Sequence, residues 1–329
     1  MKTFFETYSS KLILFTFIAL LTSSCLSDSV TEPEPPEENG PDYPSPTESE
    51  APDGILETVT WNLERYGDDL YGSEAGIQRT KNILRIADSL KADLYGLQEI
   101  TGQAGLDTLS KYMPGYRGFV ADYITYNQKL GFLYNTNTID SLSSGAITTG
   151  QDDYDWAGRL PLYFSFNYNY NGTSTPIYAI VIHAKANTGN TQELEEAYER
   201  RVRAAESLYT YLQSEKPDTR IILLGDYNDD VDVSIYDDSS PSPYDDFVMA
   251  ENSFRAVTES ISDANQSSYI AGDYSDLIDH IIISDELFNN YTASSEEIYF
   301  EAENFIEDYV NTTSDHLPVW AKIDFTGAN

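Results

Sequence analysis

Short apolar runs recur along the chain from about Ile55 to Phe325, and their spacing sets the first expectations. Strands are predicted over residues 56–62, 94–99, 130–134, 162–168, 177–183, 221–225, 277–284 and 317–323. Several of these runs are continuous rather than alternating (IYAIVIH, IILLGD, DLIDHIIIS), the pattern of strands covered on both faces. Two segments repeat at the helical period instead. Over 76–91 the apolar stripe is Ile83, Ile86, Ala87 and Leu90; over 191–214 it is Leu194, Ala197, Ala205, Leu208 and Leu212. Many strands with few, widely spaced helices favour sheets packed face to face with helices outside. Residues 229–246, rich in Asp, Ser and Pro, read as a surface loop.

The N-terminus departs from this pattern. Residues 1–25 read as an export signal: Lys2 and Lys11 supply positive charge, residues 12–21 (LILFTFIALL) are largely apolar, and Ser23-Ser24-Cys25 follows. Such a run suits a signal peptide and falls short of the roughly 20 residues that span a bilayer as a helix. The small-small-Cys ending is similar to the bacterial lipoprotein signal, whose cysteine is lipidated and becomes the new N-terminus. Thr22 stands where an aliphatic residue is usual, with Leu21 one place further back. Cys25 is the one cysteine in the chain, so no internal disulfide forms, and a lone cysteine in an exported chain favours lipidation. An ordinary signal peptide with an incidental cysteine is the alternative. The protein is therefore expected to be exported and anchored to the bacterial membrane through Cys25, facing the periplasm or the cell surface. No protein partner is readable.

Residues 26–54 carry Pro at 33, 35, 36, 41, 44, 46 and 52, nine acidic residues and no Lys or Arg, so they are expected to form a disordered tether. That leaves 55–329 as the folded domain. Charge sharpens the picture: the 329 residues include 55 acidic and 19 basic ones, for a net charge of −36. From Gly54 onward 45 acidic and 17 basic residues remain, so the tether does not account for the excess. Such a surface repels nucleic acid and anionic lipid unless cations intervene. Arg200, Arg201 and Arg203 form the only basic cluster and, on a helix, read as a solvated face.

Polar residues at strand ends carry the chemistry. One strand ends at Asn62, another at Glu99, and a third in Gly225-Asp226-Tyr227-Asn228, where Asp226 and Asn228 point the same way from extended chain. Asp279-His280 lies inside DLIDHIIIS, and Ser314-Asp315-His316 precedes the last strand. Any one of these alone reads as a turn or cap residue; as a set they offer oxygen ligands for a hard divalent cation, with Glu99, Asp315 and Asn62 suited to Mg²⁺.

Together, from about Thr58 to Ala321, they resemble the endonuclease/exonuclease/phosphatase superfamily, and within it the DNase I branch. The motifs are TWNLE with Asn62, LYGLQEI with Glu99, LLGDYND with Asp226 and Asn228, SDLIDHIIIS with Asp279, and SDHLPV with Asp315 and His316. AIVIHAKA puts His183 at the branch's second active-site histidine, GRLP puts Arg159 at a phosphate-contacting arginine, and YNQKLGFLYN puts Tyr126 at a phosphate-contacting tyrosine. Gln128 departs from the pattern, standing where a glutamate is expected; an amide still hydrogen-bonds an imidazole but stabilises its cation less. For His183 a core histidine satisfied by backbone is the alternative, and His280 reads as structural.

The resemblance implies a four-layer sandwich of two mixed β-sheets flanked by helices. It implies Mg²⁺, with Mn²⁺ and Ca²⁺ as alternatives, on Glu99, Asn62 and Asp315. His316, oriented by Asp279, takes the proton from water; Asp226 and Asn228 orient that water and the phosphate, or hold a second cation. His183 and Arg159 complete the phosphate pocket, with His183 a candidate proton donor. The leading function is an exported, metal-dependent endonuclease acting on DNA. The alternative is a phosphatase or phosphodiesterase on inositol phosphates, phospholipid head groups or other small esters, and a catalytically idle binding module is the third reading.

Overall fold

All eight apolar runs form strands, and every one of them lies in the interior of a sheet. The computed structural model describes residues 43–44, 48–67, 74–149, 153–237, 239–272 and 276–327. The export signal, Cys25 and most of the tether fall on residues 1–42 and lie outside the described residues. The chain begins β1 (Ile55–Tyr66), α1 (Glu74–Leu90), β2 (Leu94–Ile100), α2 (Gln103–Tyr112), β3 (Tyr116–Val120), β4 (Lys129–Asn135), β5 (Ile139–Ala146), β6 (Leu162–Tyr170) and β7 (Thr173–His183). It continues with α3 (Thr191–Glu215), β8 (Ile221–Asp226), α4 (Asp245–Met249), β9 (Phe254–Ala256), α5 (Glu259–Asp263) and β10 (Asp279–Ser284). It ends with β11 (Glu297–Ile298), α6 (Glu301–Phe305), α7 (Tyr309–Thr312) and β12 (Val319–Asp324).

One sheet runs β11-β12-β1-β2-β4-β3 and the other β5-β6-β7-β8-β10-β9. Each is mixed, because β1 pairs with β2 and β7 with β8 in parallel while the other pairings are antiparallel. The strands not foreseen, β3, β5, β9 and β11, are the four sheet edges. Edges lack one neighbour: β5 (IDSLSSGA) is mostly exposed, so it carries too few apolar side chains to announce itself.

Between the sheets lies a dry layer that includes Leu94, Phe132, Phe164, Val181, Leu224 and Ile281. The sheets approach closely at Gly96, where a Cβ would stand 2.8 Å from Leu224 Cδ1. Outside, Ile83, Ile86 and Leu90 of α1 cover Val59, Trp61 and Tyr95. On the other face Ala204, Ala205, Leu208 and Leu212 of α3 cover Ile180, Ile182 and Leu223. Each fully buried aliphatic side chain here contributes about 1.5–3 kcal/mol, and the four-layer sandwich hides both faces of β2, β4, β8 and β10, while β6 and β12 keep one face half-buried. A capping box starts α3: Asn190 Oδ1 accepts from Gln192 N and Glu193 N, and Glu193 Oε2 accepts from Asn190 N.

Three expectations need adjustment. The described end of the presumed tether lies on the compact unit Asp42–Asn329: the Tyr43 and Tyr112 rings are 4.5 Å apart, and Glu50 pairs with Lys91 at 3.3 Å. The stretch 229–246 is no plain surface loop, since Asp229, Asp230, Val231, Ser242 and Tyr244 are buried. The arginine cluster is a solvated face only in part, with Arg203 exposed as expected. Arg201 is 0% exposed and pairs with Asp229 at 2.9 Å, which explains both misreadings: the ion pair pulls the acidic stretch and the helix together. No helix among the described residues is long and apolar enough to cross a membrane.

Candidate active site

The ends of β1, β2, β7 and β8 open into one cleft of about 690 Å³. It is lined by Asn62, Glu99, Tyr126, Arg159, His183, Asp226, Asn228, Asp315 and His316, nine of the ten expected site residues. The tenth, Asp279, is fully buried and hydrogen-bonded to His316.

Backbone irregularity delivers the side chains from the first sheet. The β1–β2 register slips between Asn62 and Tyr66, and Glu64 and Arg65 take φ of 44° and 58°. β2 slips against β4 between Leu97 and Ile100, with Glu99 at φ 57°. A left-handed residue that is not glycine costs about 1–3 kcal/mol, so the bulge that presents Glu99 to the cleft is held by the surrounding sheet. In the second sheet Gly225 (φ 158°) precedes Asp226, and a Cβ there would stand 2.4 Å from the Ile182 carbonyl oxygen. Only glycine lets the strand end pass so close to β7.

Asp226 is the hub. Its Oδ2 accepts from Asn62 Nδ2 at 2.9 Å, its Oδ1 accepts from Asn228 N at 2.9 Å, and His183 Nε2 lies 3.4 Å away. Burial and the Asp279 charge push the Asp226 carboxyl up to about 7, against the opposing pull of His316. Asn62 also accepts from Glu64 N at 2.9 Å through Oδ1, so it ties Asp226 to the β1 bulge as well as standing beside the expected metal position.

His316 is pinned from behind. Its Nδ1 donates to Asp279 Oδ2 at 2.7 Å, and the same oxygen accepts from Ser268 Oγ at 2.6 Å. Its backbone carbonyl accepts from Trp61 Nε1 and Tyr309 Oη, and its backbone N donates to Ser314 Oγ. This fixes the tautomer and leaves Nε2 towards the cleft, 3.9 Å from both Asp226 Oδ2 and Asp315 Oδ1. Burial alone would lower the imidazole, but Asp279, Asp226 and Asp315 together outweigh it and push it up to about 10.

His183 is the opposite case. Burial, then the charges of Arg159 and His316, hold it well below the ordinary imidazole value. These influences favour the uncharged ring, whose N–H can donate a hydrogen bond into the cleft. Gln128 does not reach it: Gln128 Oε1 accepts from Arg159 Nη1 at 3.0 Å, and His183 Nδ1 is buried with no hydrogen-bond partner. The amide thus steers the arginine. Arg159 Nη2 donates to the Ala184 carbonyl at 2.8 Å, and Asn228 Nδ2 donates to the same oxygen at 3.2 Å. Tyr126 is 59% exposed at the rim, its ring against Gly158. His280 is a satisfied core histidine, bonded to Thr258 Oγ1 and the Leu277 carbonyl and lowered to about 4 by burial.

The donor set fits a hard divalent cation. Glu99, Asp226 and Asp315 make no ion pair with Lys or Arg among the described residues. Burial raises Asp315, and the Glu99 charge raises it further. Clustered, uncompensated carboxylate oxygens are what Mg²⁺ or Ca²⁺ takes. Asp226, Asp279 and His316 also bring ligand atoms within 4.8 Å of one another, but the Asp279–His316 hydrogen bond already uses that pair. Glu99 and Asp315 are the better ligands.

Sequence reasoning missed Lys185, Arg200, Tyr154 and Tyr269, all of which line the cleft. Lys185 had a readable signal, sitting two residues beyond His183 as the strand leaves the sheet. Arg200 had none, because nothing in α3 distinguishes it from its neighbours.

Residues 59–316 match the Endonuclease/Exonuclease/phosphatase family. No curated protein sequence is significantly similar. Solved structures share the fold: an endonuclease/exonuclease/phosphatase from Bacteroides vulgatus has a TM-score of 0.58 at 14% identity, covering 82% of this chain and 99% of its own. A mannosyl-6-phosphatase from Bacteroides thetaiotaomicron has a TM-score of 0.53 at 18% identity, covering 81% and 98%. D. rerio TDP2 complexed with single-strand DNA product has a TM-score of 0.57 at 14% identity, covering 83% and 100%. With the match spanning both sheets and the whole cleft, the chain belongs to the endonuclease/exonuclease/phosphatase family of phosphoester hydrolases.

Proposed function

We propose that this chain is an exported, divalent-cation-dependent phosphodiesterase with DNA as its leading substrate. The observation that carries the reading is the pairing of the His316–Asp279 dyad with an arginine, Arg159, and His183 in one cleft. At about 690 Å³ the cleft is within the usual range for small-ligand sites, so the reading rests on the groups gathered there and not on its size. Glu99 and Asp315 would hold the cation, which when bound neutralises charge on the phosphoryl oxygens. His316 Nε2 accepts the proton of the attacking water as the new P–O bond forms. Asp226 and Asn228 orient that water, and the opposite P–O bond breaks in line, its oxygen leaving with the bonding pair and taking a proton from solvent water to become an alcohol, while the proton on His316 returns to solvent. Arg159 and the His183 N–H bind the non-bridging oxygens throughout.

The acidic surface favours the second reading, hydrolysis of a small phosphate ester, since duplex binding works by releasing counterions from phosphates to basic side chains. A panel of plasmid DNA, inositol phosphates, phospholipid head groups and sugar phosphates with millimolar Mg²⁺ decides between them. Plasmid nicking is expected, and Arg159→Gln should slow it on the order of 10²-fold, the usual scale for one charge-stabilising donor. Intact plasmid with a hydrolysed small ester overturns the DNA assignment. Export rests on residues 1–25. Cys25→Ser should release the protein from the membrane fraction or leave the precursor unprocessed, and wild-type fractionation with no lipid on the mature N-terminus removes the anchor.

A further inference from the structure

Three cations meet in the cleft: Arg159, Lys185 and Arg200. None of them pairs with a carboxylate among the described residues, in a chain with 55 acidic side chains. Their neighbours on α3 behave otherwise, Arg201 pairing with Asp229 and Arg203 with Asp155 and Glu199. The Arg200 guanidinium instead lies over the Tyr154 ring, 4.1 Å from its centroid, and donates Nη2 to the Tyr154 carbonyl. Its Nε is buried with no hydrogen-bond partner. Lys185 Nζ donates to the Ala186 carbonyl at 3.0 Å.

The charges on these groups show how the cluster extends. Asp226 and Glu99 bear on Arg159, which puts it at the reacting centre. Burial lowers Lys185, and the charges of Arg200, Arg159 and Arg201 lower it further against the opposing pull of Glu193 at the start of α3. The positive arm therefore leads from the reacting centre out towards α3. Like charges held together in a partly desolvated cleft repel, and an anion placed among them removes that cost. Arg159 is already matched to the phosphate being cleaved; Lys185 and Arg200 are not.

We propose that Lys185 and Arg200 form a second anion subsite, which receives the phosphate adjacent to the scissile one. This deepens the phosphodiesterase reading and rests on it for the source of that phosphate, the next link of a nucleotide strand.

The test is calorimetric titration of the Mg²⁺-loaded protein with adenosine 5′-monophosphate, adenosine 3′,5′-bisphosphate and inositol 1,4-bisphosphate. Adenosine bisphosphate should bind about tenfold more tightly than the monophosphate, as one additional charge-assisted contact allows. The Lys185→Gln/Arg200→Gln double variant should lose that advantage and keep monophosphate binding, while Lys185→Arg should preserve the preference. Equal binding of mono- and bisphosphate by wild type overturns the subsite. So does a double variant that keeps the preference, or one that weakens both ligands alike. Inositol bisphosphate binding as tightly as the adenosine compound overturns the strand as the source. Because the measurement needs no turnover, it stands apart from the plasmid assay: intact plasmid with a retained bisphosphate preference sinks the nuclease and not the subsite.

Discussion

Replacing His316 with alanine should lower kcat on any accepted phosphoester by about 10³-fold, within the range usual for a positioned general base. The expectation follows from geometry: Nδ1 is committed to Asp279 at 2.7 Å, so Nε2 is the one ring nitrogen turned to the cleft. Asp279→Asn should cost about 10²–10⁴-fold, because an amide can present N–H to the ring and select the wrong tautomer. The two substitutions should be far from additive, since the second removes support for a base that the first has already deleted. Circular dichroism and melting must accompany the kinetics, as His316→Ala leaves the buried Asp279 carboxylate with Ser268 as its remaining donor. His316→Gln, which keeps a polar group there, supplies the folded control. A well-folded His316 variant that retains more than a tenth of the activity refutes the assignment.

Removing divalent cations should abolish turnover, and restoring Mg²⁺ should do more than fill a site. With the carboxylates uncompensated, His316 is pushed up to about 10 and is protonated at neutral pH, unable to accept a proton from water. A cation sharing the charge of Asp315 and Glu99 weakens that upward pull. The imidazole should therefore titrate lower with Mg²⁺ than in EDTA, by one pH unit or so if one carboxylate's influence is neutralised, and activity should rise with pH through the lower value. Nitrogen NMR of labelled histidine reads this without turnover. Glu99→Gln should weaken the Mg²⁺ midpoint on the order of 10–100-fold and shrink the NMR shift. An unchanged midpoint moves the metal elsewhere; an unchanged His316 titration on adding Mg²⁺ removes the coupling.

The sequence made the interior strands legible because burial on both faces demands continuous apolar runs such as IYAIVIH. β3, β5, β9 and β11 escaped notice because an edge needs fewer apolar side chains. The site residues were legible for a different reason. They sit at or beside strand ends or, for Asn62, where the register of β1 slips, so Asn62, Glu99, Asp226 and His316 interrupt apolar runs. What the chain could not display is partnership between distant segments. Gln128 facing Arg159 rather than His183, and Arg201 buried against Asp229, depend on loops whose path no local pattern records. Arg200 illustrates the limit well: three arginines within four positions of one helix have three different fates.

His316 stands just before β12 of one sheet, while Asp279 opens β10 of the other. Base and orienting carboxylate are thus halves of a hinge that closes only when the two sheets are seated. A slip of one residue in either register would turn Asp279 or the β12 approach to the opposite face. Catalysis is therefore a gauge of global architecture. Heating or denaturant should extinguish it in step with the loss of inter-sheet packing, with no partly melted form that still works. Activity is thereby all-or-none: a molecule that refolds imperfectly is silent rather than slow.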